Sequence, residues 1–133
     1  MATRDGYRRI LYTSVPAGND FAADRLNIIE QSQRSNGLDG ITGVLWSAPD
    51  LYVQVLEGPP HAVADTYERI TRDLRHHSLA VLSDAVAPDR MFGAWSMTGL
   101  WGMSMTTTTD RLRDMVLESS SASAGMVAGR LAA

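Results

Sequence analysis

The sequence contains no cysteine and no lysine, and both absences restrict what the protein can do. Without cysteine it forms no disulfide, no thiolate metal site and no thiol nucleophile. Its 12 basic residues are all arginine, they are scattered without a run, and the formal net charge is −3. This charge balance argues against a nucleic-acid-binding surface.

Long hydrophobic runs are also missing. No apolar stretch approaches the roughly 20 residues of a membrane span, and residues 1–6 lack the apolar core of a signal peptide. A chain of 133 residues can form one domain that buries roughly two-thirds of its unfolded surface. We therefore expect a cytoplasmic protein with no membrane association.

Turn residues divide the chain into strand-like and helix-like segments. Runs of β-branched and apolar residues predict five strands, at residues 7–14, 40–46, 51–58, 79–86 and 95–103. Apolar residues at helical spacing predict a helix after the first strand and another from Pro60 to Ser78. The order βαββαββ predicts a ferredoxin-like α+β fold, a five-stranded mixed sheet with two helices on one face. Strands one and three are expected to lie side by side and parallel at its centre.

The C-terminal residues are predicted to form a separate helical extension. Leu112 and Val116 repeat at helical spacing, as do Val127 and Leu131. We therefore divide the chain into a domain of residues 1–105 and a C-terminal helical tail of residues 106–133. The tail is expected to cover the rear face of the sheet, to form an oligomer contact, or to do both, and a homo-oligomer is expected.

A buried amide in the third strand is the strongest functional signal. Gln54 lies between Val53 and Val55 in an apolar run, where an unpaired amide costs about 1–3 kcal/mol. Its partner must come from a neighbouring strand or from a bound ligand. Side-chain alternation puts Tyr12 and Gln54 on the helix-covered face of adjacent strands, so they are neighbours if the register aligns them.

The sequence resembles the BLUF domain, a family of blue-light sensors that use FAD. The resemblance extends from Tyr7 to about Gly102 and depends on five motifs in order. They are ILYTS at 10–14, Asn36 followed by GITG at 40–43, QVLEG at 54–58, RDLRH at 72–76 and WSM at 95–97. Each motif alone is weak, and their order and spacing make the signal specific.

This resemblance implies two sets of site residues. The photoactive residues that it implies are Tyr12, Gln54, Trp95 and Met97. The cofactor-binding residues that it implies are Asn36, Gln54, Ile28, Ile70, Arg69, Asp73, Arg75 and His76. In the family the tyrosine gives an electron and a proton to the excited flavin, the glutamine bridges tyrosine and ring, and the tryptophan and methionine move between dark and lit states. The implied activity is that of a sensor with no metal, and not of an enzyme.

Other functions stay open on the residues alone. A ferredoxin-like interaction or dimerisation module would need no photochemistry, and an RNA-binding module could use Tyr12 and Tyr52 as a stacking pair. The acidic charge balance disfavours RNA. A small α+β enzyme would need a nucleophile–base pair, a metal cluster or a phosphate loop, and none stands out. FAD follows from the resemblance alone, because no glycine-rich phosphate cradle distinguishes it from FMN or riboflavin. The downstream partner is expected to be a protein of unknown identity.

Overall fold

A computed structural model of the protein describes residues 6–18, 20–91, 98–101, 107–119 and 121–132. The helices and strands along these residues are β1 (Tyr7–Pro16), α1 (Phe21–Asp39), β2 (Thr42–Ala48), β3 (Leu51–Gly58), α2 (Pro60–Thr71), β4 (His76–Ala87), β5 (Thr98–Trp101), α3 (Thr107–Glu118) and α4 (Ala124–Ala132). Within the described ranges, no helix is long and apolar enough to cross a membrane.

The sheet has the strand order β4-β1-β3-β2-β5. β1 pairs with β3 and β4, and β3 pairs with β2, in each case antiparallel. The short strand β5 is parallel to β2. The predicted α+β class is confirmed, with β1 to β4 as an antiparallel sheet. Of the predicted fifth strand at 95–103, the structure describes strand pairing only for Thr98–Trp101.

The predicted parallel pairing of strands one and three is wrong. The crossover through α1 makes β1 and β2 run in the same direction, and β3 turns back from β2 through a tight turn at residues 49–50. β3 then lies between β1 and β2 and must be antiparallel to both. A hairpin return reverses strand direction, whereas a helical crossover preserves it.

Two apolar clusters lie on opposite faces of the sheet. On the face that we call the front, Tyr52 and Leu56 of β3 pack with residues of α1 and α2, such as Ile29 and Val63. On the rear face, Leu51, Val53 and Val55 of the same strand belong to the second cluster. The period of two along a strand sends alternate side chains of β3 to different faces.

The helices α3 and α4 cover the rear face. Leu112 and Val116 of α3 and Val127 and Leu131 of α4 are buried in the same cluster as Val53. Burying one such side chain stabilises a fold by roughly 1.5–3 kcal/mol. The two helices therefore contribute directly to the stability of the sheet.

The helix α2 ends at Thr71, and the prediction that it continues to Ser78 is wrong. Leu74 fits the apolar spacing of the helix, yet it is 90% exposed. The backbone leaves the helix because the Arg75 N–H donates to Asp73 Oδ1 at 2.9 Å and because His76 already pairs with Pro16 in β4. Strand pairing of His76 and the turn formed by the Asp73 side chain therefore end the helix, although the apolar spacing continues to Leu74.

The pairing of β1 with β4 is irregular at two points. Leu11 pairs with Ser83 and Tyr12 with Val81, so Leu82 has no residue opposite it. A second shift follows between Thr13 and Val15. An extra residue of this kind is a β-bulge, which bends the strand and increases its twist.

Candidate functional site

A cleft opens on the front face between α1 and α2. The empty volume of the cleft, including the open solvent at its mouth, is about 640 Å³. The lining side chains come from both helices, from the start of β4 with the loop before it, and from β2 and β3. They are Ile28, Gln31, Ser32, Leu45, Tyr52, Gln54, Thr66, Arg69, Ile70, Asp73, Arg75 and His76.

Helical spacing places one wall on each helix. The first turn of α1 is capped by Asp20, whose Oδ1 accepts a hydrogen bond from the Ala23 N–H at 3.3 Å. Three and four residues separate Ile28 from Gln31 and Ser32, so the three side chains share one face of α1. Ile70 of α2 packs, like Ile28, against the front-face cluster. Ile28 and Ile70 therefore give the cleft one apolar wall on each helix.

The floor of the cleft is a hydrogen-bonded pair on adjacent strands. Tyr12 and Gln54 are direct partners in the register of β1 with β3, which is the alignment that the predicted contact required. Tyr12 is fully buried, Gln54 is 5% exposed, and the Tyr12 hydroxyl donates to Gln54 Oε1. This bond occupies the amide oxygen, and the amide NH₂ is the group of Gln54 that can donate to a ligand.

The Tyr12 phenol is held as a neutral donor. Burial raises its pKa well above the ordinary value of 10, and the nearby Tyr67 and Asp73 raise it further. The Tyr67 ring meets the Tyr12 ring edge to face, with centroids 5.2 Å apart and an interplanar angle of 77°. At neutral pH the phenol therefore keeps its proton, and its orientation is fixed by Gln54 on one side and Tyr67 on the other.

An ion pair spans the mouth of the cleft. Arg75 Nε donates to Asp73 Oδ1 at 2.9 Å, and Arg75 Nη2 donates to Gln31 Oε1 at 2.9 Å. The hydrogen bond from Arg75 is the main reason why the pKa of Asp73 lies below its ordinary value of 3.8. Because Asp73 lies beyond the end of α2, it pairs with Arg75, while Arg69 Nη2 donates to Thr66 Oγ1 at 3.2 Å. The loop after α2 is thereby tied to α1.

His76 joins the end of β1 to the last turn of α2. Its Nε2 is 2.8 Å from the Ile70 carbonyl oxygen, and its Nδ1 is 2.7 Å from Ser14 Oγ. A carbonyl oxygen only accepts, so Nε2 carries a hydrogen and donates it. The imidazole is therefore fixed in orientation at the lip of the cleft.

The structure brings most of the predicted site residues into one place. Those of the predicted cofactor-binding residues that line the cleft are Gln54, Ile28, Ile70, Arg69, Asp73, Arg75 and His76. Asn36 belongs to α1, but its side chain lies outside the described residues, as do Trp95 and Met97 entirely. The functional roles of all these residues stay predictions.

Sequence reasoning did not assign five lining residues to the site. They are Gln31, Ser32, Leu45, Tyr52 and Thr66. A signal was available for three of them, because Tyr52 precedes Gln54 by two residues and so shares its face, and Gln31 and Ser32 follow Ile28 by one helical turn. Leu45 could be found only from the register of β2 with β3, in which it pairs with Gln54.

The residues of the cleft suit a flat ring with a polar edge. Ile28 and Ile70 offer apolar surface from the two helices, while the Gln54 amide and the Tyr52 hydroxyl offer hydrogen bonds from the sheet. Sites for conjugated ligands combine apolar walls with a few placed polar groups in this way.

Comparisons with known proteins agree with the geometry. Photoactivated adenylate cyclase subunit beta-like protein FB of Euglena gracilis is 32% identical over 92 residues, which are 68% of this chain and 11% of that protein. The dark-state structure of BlrB, a BLUF protein, is 26% identical with a TM-score of 0.72 and covers 96% of this chain and 95% of BlrB. A bacterial light-regulated adenylyl cyclase is 27% identical with a TM-score of 0.69 and covers 84% of this chain and 33% of the cyclase.

The family assignment follows from the extent of the sequence match. The chain spans about a tenth of the length of the curated relatives that it matches, so their cyclase activity is a property of those longer proteins. Residues 8–98 match the BLUF family, described as sensors of blue-light using FAD, and these residues include the whole lining of the cleft. That description is of a sensor and names no reaction. This chain belongs to the BLUF family of blue-light sensors.

Proposed function

We propose that this chain senses blue light through FAD bound non-covalently in the front-face cleft, with Tyr12 and Gln54 as the photoactive pair. The observation that carries the proposal is the hydrogen bond from the Tyr12 hydroxyl to Gln54 Oε1 at the buried floor of the cleft. The choice of FAD among flavins rests on the description of the family.

The residues of the cleft divide into two groups in this proposal. Ile28 and Ile70 provide the apolar contacts to the two faces of the ring, and the Gln54 NH₂ donates to its polar edge. The other polar atoms of the flavin are bound or positioned by the remaining predicted residues, which are Arg69, Asp73, Arg75, His76 and Asn36. The flavin, when bound, supplies the absorption of blue light and a site that takes up an electron and a proton.

Tyr12 and Gln54 supply the protein's part of the photochemistry. The phenol can lose an electron and, along its hydrogen bond to Gln54 Oε1, a proton. When both return to Tyr12, the Gln54 carboxamide is left in a second arrangement, by rotation or by tautomerism, with its donor and acceptor groups exchanged. A carboxamide suits this exchange because the two arrangements have nearly the same shape. No covalent product with the protein forms, and the two states differ only in hydrogen bonding.

The strand register gives the altered network a route to the edge of the sheet. Gln54 pairs with Leu45 across β3 and β2, and Leu45 pairs with Gly99 across β2 and β5. We assign Trp95 and Met97, which precede β5, and the tail of residues 106–133 to the output of the signal. The output is a shift between two nearly balanced states, read by a partner protein or by a second copy of this chain.

An absorption spectrum before and after blue light tests the proposal. Purified protein should be yellow, its flavin band should move to longer wavelength under blue light, and the band should return in darkness. Tyr12→Phe and Gln54→Ala should each bind flavin and lose this shift, whereas Glu68→Gln on the exposed side of α2 should keep it. Mass spectrometry of the released flavin identifies it as FAD or FMN. Protein that stays colourless after incubation with FAD, FMN and riboflavin would overturn the proposal.

A further inference from the structure

Tyr52 has a buried hydroxyl that the described part of the chain leaves unpaired. The residue is 2% exposed, and its phenol oxygen has no hydrogen-bond partner among the residues that the structure describes. A buried hydroxyl without a partner is destabilising, and native proteins pair nearly all such groups with protein, water or ligand. Tyr52 is also one of the residues that line the cleft.

The Tyr52 ring is held in place by its neighbours. It stacks on Phe21 of α1, with ring centroids 6.0 Å apart and an interplanar angle of 24°. The ring of His76 lies on another side, at a centroid distance of 6.4 Å. His76 is itself fixed by Ser14 and Ile70. These contacts leave the Tyr52 ring little freedom to turn.

Burial is the main reason why the Tyr52 hydroxyl keeps its proton and can donate it. Burial raises the pKa of the phenol above its ordinary value of 10, Asp24 and Asp73 raise it further, and Arg75 and Arg25 lower it. The group therefore carries its proton at neutral pH. Its missing partner is an acceptor, such as a carbonyl oxygen, a ring nitrogen or a ribityl oxygen.

We propose that Tyr52 donates a hydrogen bond to an acceptor atom of the flavin and so adds to the affinity of the cleft. This inference rests on the proposed function, since it takes the flavin to be the ligand. It assigns Tyr52 a binding role separate from that of Gln54, two residues further along the same face of β3. Binding then satisfies a hydroxyl that has no partner among the described residues.

Tyr52→Phe separates this role from a structural one, because the change removes only the hydroxyl and keeps the stacked ring. Flavin dissociation constants and melting temperatures of the flavin-free protein are measured for wild type and variant. The loss of one hydrogen bond should weaken flavin binding about 3- to 10-fold. The melting temperature of the flavin-free variant should be equal to that of wild type or higher, because an unpaired polar group is lost from the interior.

Tyr7→Phe is the matched control. Tyr7 lies at the other end of β1, roughly 20 Å along the sheet from the Tyr52 partner Ser14, and its ring lies under the Arg90 guanidinium at 4.5 Å. Its flavin affinity should equal that of wild type.

Two results would overturn the inference. One is an unchanged dissociation constant in Tyr52→Phe, and the other is a lower melting temperature of the flavin-free variant, which would give the hydroxyl a partner inside the protein. Failure of wild type to bind any flavin would instead refute the proposed function, so the two failures are distinguishable. Neither measurement depends on light.

Discussion

The side chains on both faces of β3 are buried, but the two faces use them differently. On the rear face, Leu51, Val53 and Val55 pack only as apolar surface beneath α3 and α4. On the front face, Tyr52 and Gln54 carry polar groups into the interior beside a cleft. Burial alone therefore does not tell a stabilising face from a binding face, and the hydrogen-bonding state of the buried polar groups does.

Glu57 and Tyr52 are both buried polar residues of β3, and they differ in the hydrogen bonding of their side chains. The Glu57 carboxylate is fully buried and accepts hydrogen bonds from Arg9 Nε at 3.1 Å, Thr42 Oγ1 at 3.1 Å and the Met91 N–H at 2.8 Å. A buried charge with this many donors is a structural group. The Tyr52 hydroxyl, which has no partner within the described ranges, instead indicates a binding role, although both residues belong to one strand.

The largest expected effect on stability is on the rear face. Leu112→Ala should lower the free energy of unfolding by about 2–5 kcal/mol, because Leu112 is fully buried beneath the sheet and its loss leaves a cavity. Urea denaturation of the flavin-bound protein measures this change. Leu117→Ala, on the exposed side of the same helix, is the matched control and should cost well under about 1 kcal/mol. Equal effects of the two variants would contradict the account of α3 as a rear cover.

Glu57→Gln should have the next largest effect. The variant keeps one acceptor oxygen but removes the charge that Arg9 faces, so the loss of charged hydrogen bonds should lower the free energy of unfolding by about 1.5–3 kcal/mol. Its light-induced absorption shift should persist, because Glu57 does not line the cleft. Glu68→Gln, in an exposed pair with Arg72, is the control, with an expected effect below about 0.5 kcal/mol. A Glu57→Gln protein of normal stability that lost its light response would overturn the division between faces.

Tyr12 on the front face should make the stability of the protein depend on pH above pH 10. Below pH 10 Tyr12 is protonated in both the folded and the unfolded chain, so its contribution to stability is fully present. Above pH 10 the unfolded chain loses that proton while the folded chain keeps it, because the folded pKa is raised. The free energy of unfolding should therefore fall by up to about 1.4 kcal/mol per pH unit on account of Tyr12. Urea titrations between pH 9 and 11 should give a smaller slope for Tyr12→Phe, and an identical slope would contradict the assignment.

The smallest expected effect is that of an exposed ion pair at the rear. Arg130 of α4 donates to both carboxylate oxygens of Asp50, at 2.9 and 2.7 Å, and so joins the tail to the turn between β2 and β3. Asp50→Asn should nevertheless lower the free energy of unfolding by less than about 1 kcal/mol, because solvent screens the pair. Thermal denaturation at low and high salt measures it. A loss as large as that of Leu112→Ala would mean that charge, and not apolar burial, holds the tail.

The sequence predicted the floor of the cleft better than its mouth. Tyr12 and Gln54 could be placed together because strand alternation and motif spacing depend on nearest neighbours in the chain. The end of α2 could not, because Leu74 satisfies the helical pattern while the Asp73 side chain and the pairing of His76 determine where the helix stops. At the mouth of the cleft, Arg75 and Gln31 are 44 residues apart in the sequence and form their hydrogen bond only because the tertiary fold brings them together.

The direction of β3 relative to β1 is a second feature that was not predicted correctly from the sequence. The order of elements predicted that β1 and β3 would be adjacent, which the structure confirms, but their relative direction was predicted wrongly. The pairing of Tyr12 with Gln54 is compatible with either direction, because opposite residues share a face in both arrangements. A correct pair in the site is therefore no test of strand direction.

The bulge at Leu82 gives β4 one residue more than its register with β1 requires. Deleting Leu82 would remove the irregularity and keep the pairs on both sides of it, Leu11 with Ser83 and Tyr12 with Val81. His76 would then stay opposite Pro16, beside Ser14 and Ile70. What the deletion would remove is the Leu82 side chain, which is buried in the rear-face cluster, so the extra residue serves the core of the rear face and leaves the lip of the cleft in place.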